Sequence, residues 1–369
     1  MILASGYMGK HSIATLGSHS ALEVCEGAKQ EGFFTVVVAQ RGREKTYLQH
    51  YKTRKRGKKE IGMVDEIILV NKFGDMAESR YMDLLKKRNA IFIPNRSFAV
   101  YVGYDVIERF PLPIFGNKFL LRAEERDVEK NQYELMRKAG IRFPRQIPSP
   151  EKIDRLAIVK AKEAKRSYER AFFMAASPEE YDRKSKQLIA EGKLKEADLK
   201  TATIEEFVIG ALFNFNFFYS PLHGELELLG VDTRRQTDLD GFLHLPADAQ
   251  LEVLKQRQPT RIEAGHIACT VRESLLEQVF EKAERLVRTV EKEYPPGLIG
   301  PFALQGAMVE EGKEEFVVFD ISFRIPGSPG IRATPYSSYL FGEPVSTGRR
   351  IAMEIKEAIK TKKLKEITT

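Results

Sequence analysis

An apolar run that ends in glycine and passes directly into a helical pattern is the feature that most constrains the fold. The run covers residues 13–17, the helical pattern covers residues 20–32, and a second apolar run follows at residues 33–39. This order predicts a strand, a tight turn, a helix and a second, parallel strand. Strands connected in this way belong to an open α/β sheet with helices on its faces.

The tight turn carries small polar residues and a histidine. Ser18, His19 and Ser20 follow the first strand, at the edge where open α/β sheets bind ligands. The N–H groups and the positive dipole end of the next helix favour phosphate there. Such residues are equally common as caps and in turns, which leaves a purely structural role open. Their position in a βα turn favours a nucleotide or phosphoribosyl site.

Length and composition indicate a globular protein with more than one domain. The chain has 369 residues, of which 43% are hydrophobic and 30% are charged, and a single small core does not organise that length. No apolar run approaches the ~20 residues of a membrane span. Cys25 and Cys269 are isolated thiols, which indicates a reducing cytosol and argues against structural zinc. We therefore expect a cytoplasmic protein without a membrane partner.

The positive charge of the chain points to anionic ligands without deciding their class. The formal net charge of +7 suits anionic small molecules as well as nucleic acid. A basic run at residues 52–59 is interpreted either as a solvated loop or as a contact for phosphate or nucleic acid. Only Tyr47 and Tyr51 lie nearby as aromatics on which bases can stack, so nucleic acid is the weaker alternative.

The order of elements divides the chain into two parts. Residues 1–122 alternate strands and helices and are predicted to form an open α/β domain. Residues 123–369 are predicted to form an α+β domain whose small lobe covers about residues 123–207. Within the second part, we expect the following elements: a helix at 124–138, a strand at 204–210, a helix at 274–291, and a hairpin of strands 301–309 and 315–322.

This order of elements resembles the ATP-grasp superfamily, and longer motifs resemble one of its families. The superfamily cues are the run Ala139-Gly-Ile-Arg-Phe-Pro144, a strand that ends at Lys160, a hinge at residues 205–208, and the late pair Gln305 and Asp320 followed by Arg324. The family motifs are Ile13-Ala-Thr-Leu-Gly-Ser-His19, Phe218-Tyr-Ser-Pro221, Glu227-Leu-Leu-Gly230, Val271-Arg-Glu-Ser-Leu-Leu276, Pro295-Pro-Gly-Leu-Ile-Gly-Pro-Phe302 and Gly342-Glu-Pro344. They are similar to the archaeal formate-dependent synthetase of 5-formaminoimidazole-4-carboxamide ribonucleotide (FAICAR), and the similarity covers nearly the whole chain.

The resemblance implies an ATP-grasp fold preceded by an open parallel-sheet domain, and a ligase. The implied reaction joins formate to the 5-amino group of aminoimidazole carboxamide ribonucleotide (AICAR) with ATP, in purine (IMP) biosynthesis. Formate is a poor acyl donor, so formyl phosphate is the expected intermediate. Phosphoryl transfer needs positioning and charge neutralisation, which implies magnesium or manganese. The family also suggests a closed homo-oligomer that acts on small molecules.

For ATP and the metal, the resemblance implies residues of the second part. The list is Lys160 for a phosphate, the backbone of Phe207 and Val208 for adenine, Glu205 or Glu206 near the amino group or ribose, Gln236 near the ribose, and Gln305 and Asp320 for the metal. A carboxylate inside an apolar run needs a partner, which favours the metal role for Asp320. A surface lysine is the equal alternative for Lys160.

For AICAR, the resemblance implies His19, Ser97 and His266. His19 is placed for a phosphate or a ring atom, and Ser97 for a phosphate oxygen at the start of a helix. A turn residue and a plain N-cap are the structural alternatives. His266 stands where the family has an asparagine at the AICAR base.

The chain also departs from the family pattern. Residues 161–170 contain no glycine where the family has a Gly-rich loop over ATP, and Lys162, Lys165 and Arg166 are the available substitutes. Further departures are Asn95-Arg96 for His-Gly, Gln236 for Glu, His266 for Asn, Asp320 for Glu, and Pro326-Gly-Ser-Pro-Gly330 for Asp-Gly-Gly-Thr-Asn. Two hypotheses follow: an active FAICAR synthetase, and a divergent paralogue that binds a nucleotide or phosphoribosyl ligand without ligase turnover.

Overall fold

The structure is a computed structural model that describes residues 11–125, 128–160, 172–257, 259–260, 262–310 and 312–369. The strands of the N-terminal part are β1 (Ser12–Leu16), β2 (Phe34–Gln40), β3 (Arg54–Arg56), β4 (Lys59–Ile61), β5 (Glu66–Val70) and β6 (Ala90–Ile93). Its helices are α1 (Ala21–Gln30), α2 (Ser79–Lys87), α3 (Arg96–Val102) and α4 (Tyr104–Glu108), with short helical turns at Thr46–His50, Phe73–Ala77 and Leu120–Glu124. The order β5-β2-β1-β6 is parallel throughout, which confirms the predicted open α/β sheet.

The rest of the chain adds two antiparallel sheets. Its strands are β7 (Gln146–Ile147), β8 (Ala157–Lys160), β9 (Phe172–Ala175), β10 (Thr203–Glu206), β11 (Ala211–Ser220), β12 (Glu225–Gln236), β13 (Glu263–Cys269), β14 (Gly300–Glu310) and β15 (Glu314–Ser322). Its helices are α5 (Gln132–Lys138), α6 (Pro178–Ala190), α7 (Glu196–Leu199), α8 (Leu239–Leu243), α9 (Ala247–Gln256), α10 (Leu276–Glu293), α11 (Tyr336–Phe341), α12 (Thr347–Thr361) and α13 (Leu364–Ile367), with 3-10 turns at Pro150–Lys152, Glu273–Leu275 and Pro329–Ala333. The small sheet has the order β7-β10-β8-β9, and the large sheet has the order β13-β12-β11-β14-β15.

The two faces of the large sheet differ in chemistry. Phe215 and Phe217 of β11 are fully buried and pack in the core with α5 and α10. The alternate residues Asn214 and Asn216 form a buried polar network, because successive side chains of a strand point to opposite faces. The polar face is therefore available for a site between the sheets.

The last long helix packs against the first sheet rather than the second. α12 crosses α1 at two glycines, where an added Cβ on Gly27 would lie 2.1 Å from the Arg349 nitrogen and one on Gly348 would lie 2.1 Å from the Glu23 oxygen. Ile351 and Ile355 share a core with Ile13 of β1. Only glycine permits this close approach of two helices, which ties the end of the chain to the N-terminal sheet.

The predicted domain boundary between residues 122 and 123 stays a proposal. The turn Leu120–Glu124 spans it. Leu121 packs in the core of the parallel sheet, whereas Leu120 and Ala123 pack in the core of the large sheet. No helix in the described part of the chain is long and apolar enough to cross a membrane.

Four local predictions are wrong in detail, and two of them fail because an asparagine side chain fixes the start of a helix. The helix expected at residues 124–138 begins at Gln132, since Asn131 accepts hydrogen bonds from the Tyr133 and Glu134 N–H groups. Ser97 is not the N-cap of its helix. That position is taken by Asn95, which accepts from the Phe98 N–H at 3.1 Å.

The basic run at residues 52–59 is also not a simple loop. It contributes to the exposed hairpin of β3 and β4, whose register pairs Arg54 with Ile61.

The strand expected at residues 204–210 ends at Glu206, so residues 207–210 leave the sheet as a connection to β11. By contrast, the helix α10 and the hairpin β14–β15 confirm the predicted long helix and late hairpin.

Candidate active site between the sheets

The turn after β1 is held by close packing and by two serine hydroxyls. A Cβ on Gly17 would lie 2.9 Å from the Tyr47 ring, so the turn passes too close to this ring for a larger residue. Ser97 donates from its hydroxyl to the Ser18 hydroxyl at 2.6 Å, and Ser20 adopts a left-handed backbone with φ of 64°. The turn thereby places His19 at the carboxyl edge of the sheet, where its side chain is partly enclosed by protein and partly open to solvent.

His19 faces charged residues from three separate parts of the chain. A Cβ on Gly327 would lie 2.9 Å from His19 Nδ1, so the connection after β15 passes directly beside the ring. Enclosure by the surrounding protein lowers the pKa of His19, and the charges of Arg96 and Arg324 lower it further. Glu263 opposes this shift. The imidazole is therefore neutral at pH 7 and lies in a crevice between the parallel and the large sheet.

His266 lies at the same crevice, held between two carboxylates. Its Nδ1 lies 2.5 Å from Asp232 Oδ2 and its Nε2 lies 3.1 Å from Glu263 Oε1. Burial alone would lower the pKa of His266, but the hydrogen bonds to both carboxylates raise it to about 9. The ring is therefore an imidazolium at neutral pH, with both nitrogens already engaged.

Amide and cationic groups surround the two carboxylates that contact His266. Asp232 is buried and accepts from Asn214 Nδ2 and Asn216 Nδ2, each at 2.7 Å. Burial would raise the pKa of Glu263, but the hydrogen bond from His266 and the charge of Arg234 lower it to about 2. An ionised Glu263 beside His19 can accept a hydrogen bond from an amino or amide group of a ligand.

The proposed metal ligands lie side by side on the polar face. Gln305 pairs with Asp320 in the register of β14 and β15. Gln305 donates to Ser322 Oγ at 2.9 Å, and its amide oxygen accepts from Arg234. Asp320 Oδ1 accepts from Gln132 Nε2 at 3.1 Å. One carboxylate and one amide oxygen suit a hard cation that takes its remaining ligands from water and phosphate. Among the described residues, no group of three His, Cys, Asp or Glu is placed to hold a metal ion.

An incompletely paired arginine points toward an anion near His19. Arg324 Nη2 donates to Glu124 Oε2 at 3.3 Å, and Glu124 Oε1 accepts from the Phe323 N–H at 2.8 Å. The Nε of Arg324 is buried and has no hydrogen-bond partner in the described part of the chain. Because a buried donor without a partner is costly, this nitrogen is available for an anionic group of a ligand. The sequence indicated Arg324 only as a superfamily cue without an assigned role, and its buried Nε could not be foreseen without the fold.

Lys160 and Glu205 form a buried ion pair on the small sheet. Their side chains point to the face opposite the core that Val159, Ile204 and α6 share. The Tyr133 hydroxyl donates to Glu205 Oε2 at 2.9 Å. Glu206 points the other way, where its carboxylate accepts from the Arg145 N–H at 3.0 Å. Of the two hinge glutamates, only Glu205 therefore shares a face with Lys160.

The hinge backbone is only partly available for adenine. The Phe207 N–H donates to the Leu156 carbonyl at 2.9 Å, whereas no hydrogen bond of the Val208 N–H is found among the described residues. Val208 packs against an apolar patch formed by Ala307, Val309, Val317 and Phe319. A planar apolar ring can stack on such a surface, next to the Val208 N–H.

Sequence comparison places the chain among known proteins. A model for a domain of unknown function, DUF1297, matches residues 180–369, and one for a protein of unknown function, DUF1246, matches residues 13–147. The 5-formaminoimidazole-4-carboxamide-1-(beta)-D-ribofuranosyl 5'-monophosphate synthetase of Methanopyrus kandleri is 43% identical over 94% of this chain and 92% of its own. The chain belongs to this FAICAR synthetase family.

Solved structures agree with that assignment. An IMP biosynthesis protein, PurP, from Thermococcus kodakaraensis is similar with a TM-score of 0.70 and 28% identity, over 97% of this chain and all of that one. The N5-carboxyaminoimidazole synthetase from Staphylococcus aureus, complexed with ADP, is similar with a TM-score of 0.60 at 12% identity, over 95% of this chain and 78% of that one. The second likeness concerns the fold alone, and together they confirm the ATP-grasp fold with a preceding parallel-sheet domain.

The residues named from the family resemblance fall into two neighbouring groups. His19, Ser97 and His266 border the crevice, and Gln305 and Asp320 lie on the adjoining polar face. Lys160, Glu205, Phe207 and Val208 lie along the small sheet and the hinge, and Gln236 ends β12 on the strand that also carries Asp232 and Arg234. Glu206 is directed elsewhere. Lys162, Lys165 and Arg166 lie outside the described residues.

Family reasoning missed several members of the candidate site. Asp232 follows an apolar stretch of β12, and a carboxylate in such a place signals a buried partner. Tyr133 and Glu124 gave no comparable signal, since their partners are far away in sequence. Only the packing of α5 and the turn Leu120–Glu124 against the sheets brings them to the site.

Proposed function

We propose that the protein is an ATP- and formate-dependent ligase that formylates the 5-amino group of AICAR to FAICAR in IMP biosynthesis. Its identity with named synthetases over nearly the whole chain supports this. The observation that carries the proposal is the crevice where His19, Arg324 and His266 meet beside the polar face of Asp320. It joins an anion-attracting region to a candidate metal and nucleotide region.

The proposed chemistry has two balanced steps. A formate oxygen attacks the γ-phosphorus of ATP, the bond to the β-phosphate oxygen breaks, and ADP leaves formyl phosphate behind. The 5-amino nitrogen of AICAR then attacks the formyl carbon, the carbon–oxygen bond to phosphate breaks, and the nitrogen loses a proton. The products are FAICAR and inorganic phosphate, the latter carrying one oxygen that came from formate.

The residues of the two regions suit different parts of this reaction. In the proposal, Lys160, oriented by Glu205, neutralises a phosphate of ATP, and Val208 holds adenine against the apolar patch. Arg324 and the turn at His19 hold the 5'-phosphate of AICAR. Asp320 and Gln305 fit magnesium or manganese, which when bound would neutralise the charge of the transferring phosphoryl group.

The test measures ADP release by the purified full chain with magnesium, ATP, formate and AICAR. We expect ADP only when formate and AICAR are both present, and FAICAR as the product by mass spectrometry. Glu206→Gln serves as a control variant and should behave like the wild type in this assay, because the Glu206 carboxylate points away from Lys160. ADP release that does not depend on AICAR, or no release at all, would contradict the proposal.

The alternative of a paralogue without ligase activity gains no support from the comparisons. Its motivation was partly the loop at residues 161–170, which lies outside the described residues. A cytoplasmic location and a closed homo-oligomer remain part of the proposal, as the family resemblance implies them.

A further inference from the structure

Two basic side chains of α10 are buried against the large sheet without the partners that buried cations need. The Lys282 side chain is 7% exposed, and its ammonium has no hydrogen bond to a described residue, since Glu315 Oε1 lies 3.9 Å away. Arg285 follows one helical turn later, and its Nε is buried with no hydrogen-bond partner in the described part of the chain. Because residues three apart share a face of a helix, the two cations lie side by side.

Elsewhere the chain surrounds a buried cation with carboxylates. Arg350 of α12 is 5% exposed in its side chain, and its Nε and Nη2 donate to Glu227 at 2.7 and 2.8 Å. Its Nη1 donates to Glu354 at 2.8 Å. Burial of a cation without such partners is costly. The pair on α10 therefore differs from an ion pair that serves only the fold.

A third cation reaches this pair from the connection that leads to the small sheet. Arg142 Nη1 lies 2.9 Å from Glu315 Oε2, so Arg142 and Lys282 share one carboxylate. The same connection passes Arg285, since a Cβ on Gly140 would lie 3.8 Å from Arg285 Nη1. Three cations thus surround a single carboxylate, which leaves a net charge of +2.

The charges nearby leave this excess in place, and the cluster is open to solvent. Burial lowers the pKa of Lys282, Glu315 raises it, and Arg285 lowers it again. Glu281 and Lys313 also act on Lys282, with opposite signs that offset each other. The side chains of Arg142 and Glu315 are 35% and 34% exposed. An anion can therefore reach the cluster from their side without unfolding of the protein.

We propose that Lys282, Arg285 and Arg142 form a second anion site, the α10 site, which binds a phosphate group. A phosphate dianion matches the net charge of +2, and its oxygens can accept from an arginine fork and a lysine ammonium at the same time. The group belongs either to inorganic phosphate or to a nucleoside monophosphate. α10 packs on the apolar face of the large sheet, so the α10 site lies on the face opposite the crevice of His19.

A phosphate group in the α10 site would fasten the small sheet to the large one. The Val318 N–H of β15 donates to the Arg142 carbonyl at 3.0 Å. From Arg142 the chain continues into β7, where Gln146 pairs with Glu205 of β10. An anion shared by Arg142 and α10 would hold this connection from its other side. The binding does not depend on the proposed ligase activity, so its test stands apart from the activity assay.

The test measures binding of inorganic phosphate to the purified full chain by calorimetry, at constant ionic strength. Lys282→Met removes the charge at similar volume, and Arg285→Gln removes the guanidinium. Each should weaken phosphate binding at least tenfold, because a charge-assisted contact is lost. Arg288→Gln is the matched control and should bind like the wild type, since Arg288 is an exposed arginine of the same helix, 3.7 Å from Glu284. Arg324→Ala changes the crevice and should leave this binding in place.

Thermal unfolding distinguishes phosphate binding from a purely structural role of Lys282. Without phosphate, Lys282→Met should unfold at the wild-type temperature or above it, because a poorly compensated buried charge is gone. Phosphate should raise the unfolding temperature of the wild type more than chloride does at equal ionic strength, and should lose this effect in Lys282→Met. Adenosine monophosphate identifies the source of the group. If it binds the α10 site more tightly than phosphate does, with the same loss in Lys282→Met, the site takes a nucleotide.

Three results would overturn the proposal. One is an unchanged phosphate affinity in both Lys282→Met and Arg285→Gln. Another is equal stabilisation of the wild type by chloride and by phosphate, which would mean general screening of charge. The third is loss of all phosphate binding in Arg324→Ala, which would place the only phosphate site in the crevice.

Discussion

In the nucleotide half of the site, Lys160 is paired with Glu205 of the same chain, whereas in the crevice the buried Nε of Arg324 has no hydrogen-bond partner among the described residues. In the nucleotide half, Glu205 already neutralises Lys160 and accepts a hydrogen bond from Tyr133 before any ligand binds. The second half gathers Arg324 and an imidazolium at His266 around one neutral histidine.

This difference separates two ways in which a site prepares for anions. A pre-formed ion pair orients its lysine but must be loosened before the lysine can bind phosphate. An unpartnered buried donor gains a hydrogen bond directly when an anion binds. We therefore expect substitutions in the crevice to affect binding of AICAR strongly, and those at the ion pair to affect ATP more mildly. The shared polar face of Asp320 should matter most, since both halves meet there.

The largest effect is expected for Asp320→Asn. The substitution keeps the shape but removes the charge that attracts a hard cation, so formate-dependent ATP consumption should fall on the order of 10² to 10³-fold. Ser322→Ala removes only the hydroxyl that accepts from Gln305 and serves as the control, with a loss of less than about tenfold. Steady-state rates over a magnesium titration check both. A wild-type magnesium dependence in Asp320→Asn would show that the metal binds elsewhere.

The next effect is expected for Arg324→Ala, in the binding of AICAR. Loss of a charge-assisted contact costs about 1.5–3 kcal/mol, which is roughly 10- to 150-fold in affinity. Calorimetry should show that the riboside without phosphate loses much less, since Arg324 is assigned to the phosphate. Arg332→Ala, an exposed arginine paired with Glu26, is the control.

His19→Ala and Ser97→Ala extend this comparison within the crevice. His19 borders the anion region directly, whereas Ser97 acts through Ser18, so His19→Ala should lower AICAR affinity by more. Two results would contradict the assignment of the AICAR phosphate to the crevice. One is an equal loss of affinity for AICAR and for its riboside in Arg324→Ala, and the other is no loss of AICAR affinity in any of the three variants.

An intermediate effect is expected in the pH dependence of stability, through His266. Its pKa is about 9 in the folded protein against 6.5 for the free group. The stabilisation is therefore fully present below pH 6.5 and is lost as pH rises through 9, by about 3 kcal/mol. Denaturant unfolding at pH 6.5 and 9.5 measures it, and His266→Asn, which can still donate to Asp232, should flatten the curve. Equal pH slopes for the two proteins would contradict the raised pKa.

The smallest effect is expected at the two hinge glutamates. Glu205→Gln removes the carboxylate that orients Lys160 and should raise KM for ATP by about tenfold. Glu206→Gln should leave KM within about twofold, because Glu206 accepts from Arg145 on the far side of the sheet. The reverse order would mean that the outer face of the small sheet binds the nucleotide.

How far the sequence predicted these regions depended on the range of the interactions. The parallel sheet, α10 and the hairpin β14–β15 carry strong local periodicity and were predicted correctly. The helices α8 and α9 were not predicted, since helices without a buried face have no apolar stripe to reveal them.

The candidate site shows the same limit. The superfamily resemblance named Lys160, Gln305 and Asp320 as candidates, but the partners of these residues come from distant segments. Tyr133 reaches Glu205 across 72 positions and Gln132 reaches Asp320 across 188. Such contacts follow from packing, and no local pattern of the sequence contains them.

The central claim is that formate is activated as formyl phosphate in this site. The most direct test supplies formate labelled with oxygen-18 in both positions, together with ATP, magnesium and AICAR, and analyses the released phosphate by mass spectrometry. Because the phosphate leaves with the oxygen through which formate attacked ATP, the account predicts one labelled oxygen in each phosphate and one in each FAICAR. Unlabelled phosphate released during FAICAR formation would contradict it.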